Sequence, residues 1–473
     1  MNISDLTALS PLVILAATAV VVMLAIAFYR SHKLTVILTL SGLALSAASL
    51  SSLSRLIPRM VTPLFIIDQY ALFYIGLILA AGFSVATLAY TYLEMHSGHK
   101  EEFYLLLIIA SLGCSVLAAA DHFSSFFLGI ELLSVSLYAL AAYLRHSDRG
   151  IEAGIKYLIL AAVSSAFILF GMSLVYAETG SMAFSRIAEF ATGSHGLIFL
   201  SGIVMILVGV GFKLAVVPFH LWTPDVYEGA PAPVTAFIAT ASKGAVFALV
   251  LRYFTLIDIH AHPSLFVIFT IIAVASMFTG NLLALFQTNV KRNLAYSSIS
   301  HLGYLLVTML ASGPFGATAA AFYLTAYFIT TLGAFGVVTA LSQQDRDADR
   351  MDDYQGLAWR RPWLAGVFTV MLFSLAGIPL TAGFVGKFYI VAAGVGSALW
   401  FVIVIMIINS VIGLFYYLRI IVAMFSPSEK EGAIPVRHSR SGNAILAALA
   451  ILLIWLGVYP EPVIEMIKKA LLL

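Results

Sequence analysis

The sequence predicts an all-α, polytopic membrane protein, and three observations carry that prediction. Of the 473 residues, 61% are hydrophobic and only 10% charged, where a soluble domain would be about a quarter charged. Apolar stretches of about 20 residues, the length that crosses a bilayer as a helix, succeed one another along the whole chain. Inside four of them stand charges that lipid rejects, Glu131, Lys213, Lys243 and Lys387. Such residues usually mark ion or proton pathways.

The apolar segments lie near 11–29, 34–54, 70–93, 104–120, 123–143, 156–177, 198–221, 233–254, 264–286, 293–311, 317–341, 363–392, 398–424 and 443–460. The first lacks a basic leader and is long enough to span, so it reads as a helix and not as a cleaved signal. Fourteen helices leave no room for a soluble domain, and the even number places both termini on one side. Fifteen of the 25 lysines and arginines fall in the loops after odd-numbered helices, among them Lys291, Arg292, Arg346, Lys430 and Arg437. The opposite side holds six, including Arg55 and Arg252. By the positive-inside rule both termini then lie outside the cytoplasm. The most polar stretch, 342–362, reads as a cytoplasmic loop, a solvated connector or else a docking surface for another subunit.

Two segments carry helix-breaking residues beside a lysine. The seventh reads GVGFKLAVVPFHLW, with Lys213 before Pro218; the twelfth reads LAGIPLTAGFVGKF, with Gly377, Pro379, Gly383 and Gly386 before Lys387. Freed backbone groups in a membrane are tolerated only where protein or a watery cavity satisfies them. Matched interrupted helices in two halves of a chain point to a transporter-style repeat with its site near the midplane. Helices 4–8 and 9–13 would form two five-helix units whose fourth members are the broken ones. The chain then divides into helices 1–3 (residues 1–103), repeat one (104–254), repeat two (264–424) and a last helix with its tail (443–473).

Polar residues accompany the charges at helical spacing. Ser134 and Tyr138 share the face of Glu131, Thr240 lies one turn from Lys243, and Ser297 and Tyr304 flank His301. Tyr323, Tyr327 and Thr330 line another helix, His220 follows the break after Lys213, and Lys156 opens the sixth helix, where it could snorkel to the interface. Such stripes would support water-filled half-channels, though Ser, Thr and Tyr also serve as interhelical glue. Removing water disfavours whichever form of a side chain is charged, so Lys and Glu here can hand on protons without a cofactor. One glutamate against three or four lysines is unbalanced, so one lysine is expected to be neutral in some state, or a neighbouring subunit to supply a carboxylate. A lone Cys114 in an apolar run cannot build a disulfide, a zinc site or an iron–sulfur cluster, and reads as a small core residue. The composition also excludes a basic nucleic-acid surface.

Five long stretches carry a family resemblance: FFLGIELLSVSLYAL, EAGIKYLILAAVSSAFILFGMSLVYAETG, GFKLAVVPFHLWTPDVYEGAPAPVTAFIATASK, QTNVKRNLAYSSISHLGYLL and LAGIPLTAGFVGKFYI. They resemble the antiporter-like membrane subunits of respiratory complex I, the NADH-quinone oxidoreductase, over nearly the whole chain. The resemblance implies fourteen helices, two inverted five-helix repeats and broken helices 7 and 12. It also implies a coupled pair at Glu131 and Lys213, a central lysine at Lys243 and an exit residue at Lys387. M-type and Mrp D-type relatives carry glutamate at that last place, and L-type relatives extend past helix 14 where this chain soon ends. Both departures favour the N-type branch.

The expected function is therefore proton translocation from the cytoplasm to the outside across the cell inner membrane, along Glu131, Lys213, Lys243, His301 and Lys387. Lys156, His220, Ser297, Tyr304, Tyr323 and Tyr327 are secondary candidates, and no metal site is expected. No redox cofactor is expected in this chain; NADH, FMN, iron–sulfur clusters and quinone would belong to partner subunits. The expected neighbours are the M-type antiporter-like subunit, the small K- and J-type subunits and lipid. Three rivals stand beside this reading. One is an Mrp-type cation/proton antiporter subunit, one a related subunit of a membrane-bound hydrogenase or photosynthetic complex, and one a scaffold whose buried charges only aid assembly.

Overall fold

A computed structural model describes residues 2–471 apart from 54–55, 146, 194–195, 258, 312 and 428–438, so Arg55, Lys430 and Arg437 of the charge bias lie outside the described residues. Helices α1 (Ser10–Phe28), α2 (His32–Ser52), α3 (Gln69–Glu94), α4 (Glu101–Ala118), α5 (Phe123–Ala141) and α6 (Asp148–Thr179) form the first part of a helical bundle. Then come α7 (Leu197–Leu214), α8 (Ala232–Ile257), α9 (Pro263–Leu285), α10 (Val290–Leu310) and α11 (Pro314–Leu341). The bundle closes with α12 (Pro362–Ala376), α13 (Ala382–Gly396), α14 (Trp400–Phe425) and α15 (Arg440–Val458). Twelve of these, among the described residues, are long and apolar enough to cross a membrane; α12 and α13 are shorter apolar pieces. Helix α10 is also long but too polar for that class, and every one of its residues except Arg292 is buried.

Burial sorts the helices into a centre and a rim. The most apolar stretches of α8 and α11 are 100% and 94% buried, whereas those of α1 and α15 are only 28% buried. The rim helices turn their apolar faces to lipid. The central ones turn polar side chains only towards each other, as a helix with no lipid-facing side can. A small antiparallel hairpin, β1 (Arg59–Val61) with β2 (Phe65–Ile67), pairs Met60 with Ile66 and reaches Ala120 through Phe65. Asp68 and Arg252 form a buried ion pair beside it at 2.7 Å.

The expected breaks are real, and their edges differ from the sequence reading. Helix α7 stops at Leu214, where Ala215 turns left-handed at φ 60°, and a short helix Trp222–Gly229 resumes after Pro218. The segment read as one piece to residue 221 is thus two. The freed groups find partners nearby: the Trp222 indole donates to the Phe212 carbonyl at 3.0 Å, and Ser276 Oγ accepts from the Val217 amide at 2.9 Å. Helix α12 ends at Gly377, whose φ of 85° suits glycine. Gly383 then starts α13 against Ser374, donating its N–H to Ser374 Oγ at 3.0 Å. A third irregularity had no sequence signal: Ile238–Ser242 is a π-helical turn inside α8, immediately before Lys243. Such turns are rare and often sit at functional sites.

The polar stretch after α11, by its sequence a solvated connector or a docking surface, is not fully solvated but folded down onto the helix ends. Its Asp349 and Asp353 are buried, as are Ala348, Tyr354 and Leu357. Lys291, read as a loop cation, has a fully buried side chain inside the first turn of α10 and holds this stretch through Asp347 at 2.6 Å. Arg252, counted with the sparse loop charges of the other side, is a buried residue of α8. Neither burial shows in the sequence, because each cation finds its carboxylate far away along the chain, Asp347 for Lys291 and Asp68 for Arg252.

Candidate functional site

The three lysines and His301 are all buried, with exposures between 1% and 8%. Lys213, in the last turn of α7, donates to Ser134 Oγ of α5 at 2.6 Å. The family resemblance implies a coupled pair with Glu131. Among the described residues no ion pair joins the two within 4.0 Å; the ammonium rests on Ser134, one turn from Glu131, whose Oε1 is buried without a partner. Tyr138, on the same face, stacks edge-on against Tyr157 at 5.3 Å.

Lys243 follows the π-helical turn and donates to Ser298 Oγ of α10 at 2.8 Å. Its ammonium also lies 5.3 Å from the centre of the Tyr227 ring, an attraction between a cation and the electron-rich face. Tyr227 belongs to the short helix after the first break, so the break helps shape this pocket. Thr240, one turn before Lys243, donates to the Ala236 carbonyl of its own helix at 2.6 Å.

One turn beyond Ser298, His301 uses both ring nitrogens. Nδ1 meets the Tyr323 hydroxyl at 2.5 Å and Nε2 meets the Tyr417 hydroxyl at 3.1 Å. Tyr417 also shares a hydrogen bond with Ser297. A neutral imidazole donates from one nitrogen and accepts at the other, so a histidine held on both sides can pass a proton by exchanging those roles. The Tyr327 ring lies 5.4 Å from that of His301, and its hydroxyl is buried without a partner. Tyr304 accepts from the Asn281 amide at 3.1 Å, which also bonds Asn409 at 3.1 Å, while Tyr416 donates to the Asn281 oxygen at 2.9 Å.

Lys387, on α13, reaches back across the second break. Its ammonium donates to the Leu375 and Ala376 carbonyls and to Ser410 Oγ, each at 2.9 Å. These are carbonyls the helix end leaves without intrahelical donors, and the negative pole of α12 adds to their pull. The Tyr304 ring centre lies 5.4 Å from the same ammonium. Glycines in the break place the helix end within the lysine's reach.

The secondary candidates divide. Ser297, Tyr304 and Tyr323 join the buried network. His220 is buried with neither ring nitrogen in a normal hydrogen bond. Lys156 stands apart: its side chain is 42% exposed and paired with Glu152 at 2.7 Å and Asp225 at 2.8 Å. Burial works against the charge of Asp225, but hydrogen bonds from Lys156 and Arg292 outweigh it and hold the carboxyl below its ordinary range. Ser298, Tyr417, Ser410, Tyr227, Asn281, Asn409 and Tyr416 escaped the sequence reading. Ser298 adjoins Ser297 and could have been found by spacing; Tyr417 and Asn409 lie on another helix and gave no such signal.

This is a predominantly helical membrane bundle with two interrupted helices, each bringing a buried lysine to a polar interior. Residues 120–413 match the NADH:quinone oxidoreductase/Mrp antiporter transmembrane family, and the chain belongs to it. It is 54% identical over 487 residues to NADH-quinone oxidoreductase subunit N of Nitrosospira multiformis, covering 98% of this chain and 96% of that one. To subunit N of Ectopseudomonas mendocina it is 50% identical over 478 residues, covering 99% and 97%. Its fold matches a chain of respiratory complex I from Thermus thermophilus with a TM-score of 0.84 at 33% identity, covering 97% of this chain and all of that one.

Proposed function

We propose that this chain is the N-type proton-translocating membrane subunit of an NADH-quinone oxidoreductase. The observation that carries this reading is the row of buried Lys213, Lys243, His301 and Lys387, each resting on hydroxyls or carbonyls within reach of a proton. A proton enters from the cytoplasm, passes from Lys213 to Lys243, crosses Ser298 and His301, and leaves outward from Lys387. Glu131 sets the first switch: its unpartnered oxygen offers the Lys213 ammonium a second resting place, so Lys213 swings between Ser134 and Glu131. Water bridges the first two lysines, since among the described residues no chain of side-chain hydrogen bonds joins them.

The chain crosses the inner membrane fourteen times, with α10 as one crossing and α12 and α13 together as another, and both termini lie outside. Its fourth to eighth and ninth to thirteenth crossings form two inverted units. Redox chemistry, with NADH, FMN, iron–sulfur clusters and quinone, takes place in partner subunits, and the membrane neighbours are the M-type and the small K- and J-type subunits.

The Lys243→Ala variant tests this reading. In membranes energised with NADH, the complex should assemble in normal amount and lose proton pumping. Intact pumping would overturn the pathway, and lost assembly with undiminished pumping per complex would favour a scaffold. Sodium or potassium exchange in vesicles without an electron donor would favour an Mrp-type antiporter.

A further inference from the structure

Where α9, α10 and α14 meet, the bundle buries two asparagines, Asn281 and Asn409, that carry no charge and drew no notice in the sequence. Helices α9 and α10 touch backbone to backbone there: at Gly280 an added Cβ would come within 2.6 Å of the Ser300 amide nitrogen. That approach sets Asn281, the next residue, beside Tyr304. No part of the Asn281 amide is idle. Its Nδ2 donates to the Tyr304 hydroxyl and to Asn409 Oδ1, each at 3.1 Å, and its Oδ1 accepts from Tyr416 at 2.9 Å. Asn409 in turn gives its own Nδ2 to the Ile405 carbonyl at 3.0 Å, which fixes the end of each amide that faces each partner.

Both tyrosines held by Asn281 stand against proton carriers. Tyr304 turns its ring face to the Lys387 ammonium, 5.4 Å from the ring centre, and lies edge to face with the His301 ring at 5.5 Å. Tyr416 packs on Tyr417, ring centres 4.3 Å apart, and the Tyr417 hydroxyl is the one that meets His301 Nε2. A third link runs along α14, where Ser410, the residue after Asn409, accepts from Lys387 at 2.9 Å. One amide is thus connected to each side of the step from His301 to Lys387. An asparagine side chain offers hydrogen bonds but has no proton to exchange at physiological pH, so Asn281 can hold this step in place and cannot carry it.

We infer that Asn281 is a positioning residue for proton release. It keeps the Tyr304 face on the Lys387 ammonium and, through Tyr416, keeps Tyr417 on His301, so that the two carriers stay aligned for the handover. The inference rests on the pathway proposed above. A fully satisfied buried network specifies a single geometry, and a transfer between positioned groups slows steeply when that geometry loosens.

The test uses the assembled complex in sealed vesicles, with NADH-driven pumping measured per complex in ordinary and in heavy water. Asn281→Leu removes every hydrogen bond of the amide at nearly the same volume. It should pump about fivefold more slowly, the effect of losing about one net hydrogen bond. Heavy water should slow it more than it slows the unmodified complex, because the handover has become limiting. Adding Tyr304→Phe should slow it no further, since that hydroxyl has already lost its donor. If Asn281→Leu does not assemble, Tyr416→Phe takes its place, with the same expected slowing and heavy-water effect, because it deletes one hydroxyl and keeps the ring. Undiminished pumping per complex, an unchanged heavy-water effect, or a further multiplied slowing with Tyr304→Phe would each overturn the inference and leave Asn281 as a contact between helices. Lys387→Ala separates this inference from the pathway itself. Full pumping in Lys387→Ala would bring down the pathway and the inference with it, whereas an inactive Lys387→Ala beside a fully active Asn281→Leu removes the inference alone.

Discussion

One hydroxyl, that of Tyr417, joins His301 to Ser297 and so completes the histidine's second hydrogen bond. Sequence spacing could not nominate it, because it approaches α10 from α14. The Tyr417→Phe variant leaves the ring in place and strands a buried nitrogen, at a cost of about 1–3 kcal/mol. We expect the complex to assemble, with slower NADH-driven proton pumping; pumping at the full rate would make the hydroxyl merely structural. The same residue-level view changes the role of Glu131. It was expected to hold Lys213 directly, and the ammonium instead rests on Ser134. In a low-dielectric interior such a small displacement matters, since the attraction between charges falls with distance while the cost of removing water stays.

At the scale of elements, the two breaks do different things with the backbone groups they free. After α7, a tryptophan and a serine satisfy them, and the lysine turns to another helix. After α12, the lysine itself takes the carbonyls. That second arrangement depends on Gly383, where an added Cβ would come within 2.0 Å of the Ser374 carbonyl oxygen. Gly383→Ala should therefore push α13 away from the end of α12, costing about 1–3 kcal/mol or more, and lower both complex yield and pumping. Normal yield and pumping would show that the break can absorb the methyl group. At the basic end, Lys291 donates to the Glu228 and Ala230 carbonyls as well as to Asp347, so it clasps the short helix carrying Tyr227. Asp347→Asn leaves a fully buried ammonium without its carboxylate, a loss of about 3–5 kcal/mol. We expect a marked fall in assembled complex on native gels, and wild-type amounts would show that the carbonyls suffice.

For the whole molecule, the gradient from lipid-facing rim to buried centre explains how one chain keeps several charges away from hydrocarbon. Helices α8, α10 and α11 form the buried centre, α5, α7, α13 and α14 turn polar side chains towards it, and the rim helices shield it from lipid. The proposed orientation is open to a direct test, because Cys114, the sole cysteine, is fully buried and serves as a silent background. A membrane-impermeant maleimide added to intact cells should label Asn2→Cys and leave Asp352→Cys unlabelled until the membrane is opened. The reverse pattern would invert the topology and with it the direction of the pathway.

Much of the fold could be read along the chain. Membrane residence, the positions of most helices to within a few residues, and both breaks follow from runs of apolar residues, prolines and glycines, because a bilayer imposes length and hydrogen-bonding rules that each segment meets by itself; α6 begins at Asp148, eight residues before Lys156, where the sequence placed its start. The charged members of the site were legible for the same reason: a lysine in lipid is conspicuous wherever its partner lies. Partnership was not legible. That Lys213 rests on Ser134, Lys243 on Ser298 and Lys387 on the end of α12, that Lys291 and Arg252 are buried, and that α8 contains a π-turn were decided by the packing of helices. Those contacts join residues many positions apart, and a periodic pattern records which face of a helix is buried without recording what it is buried against.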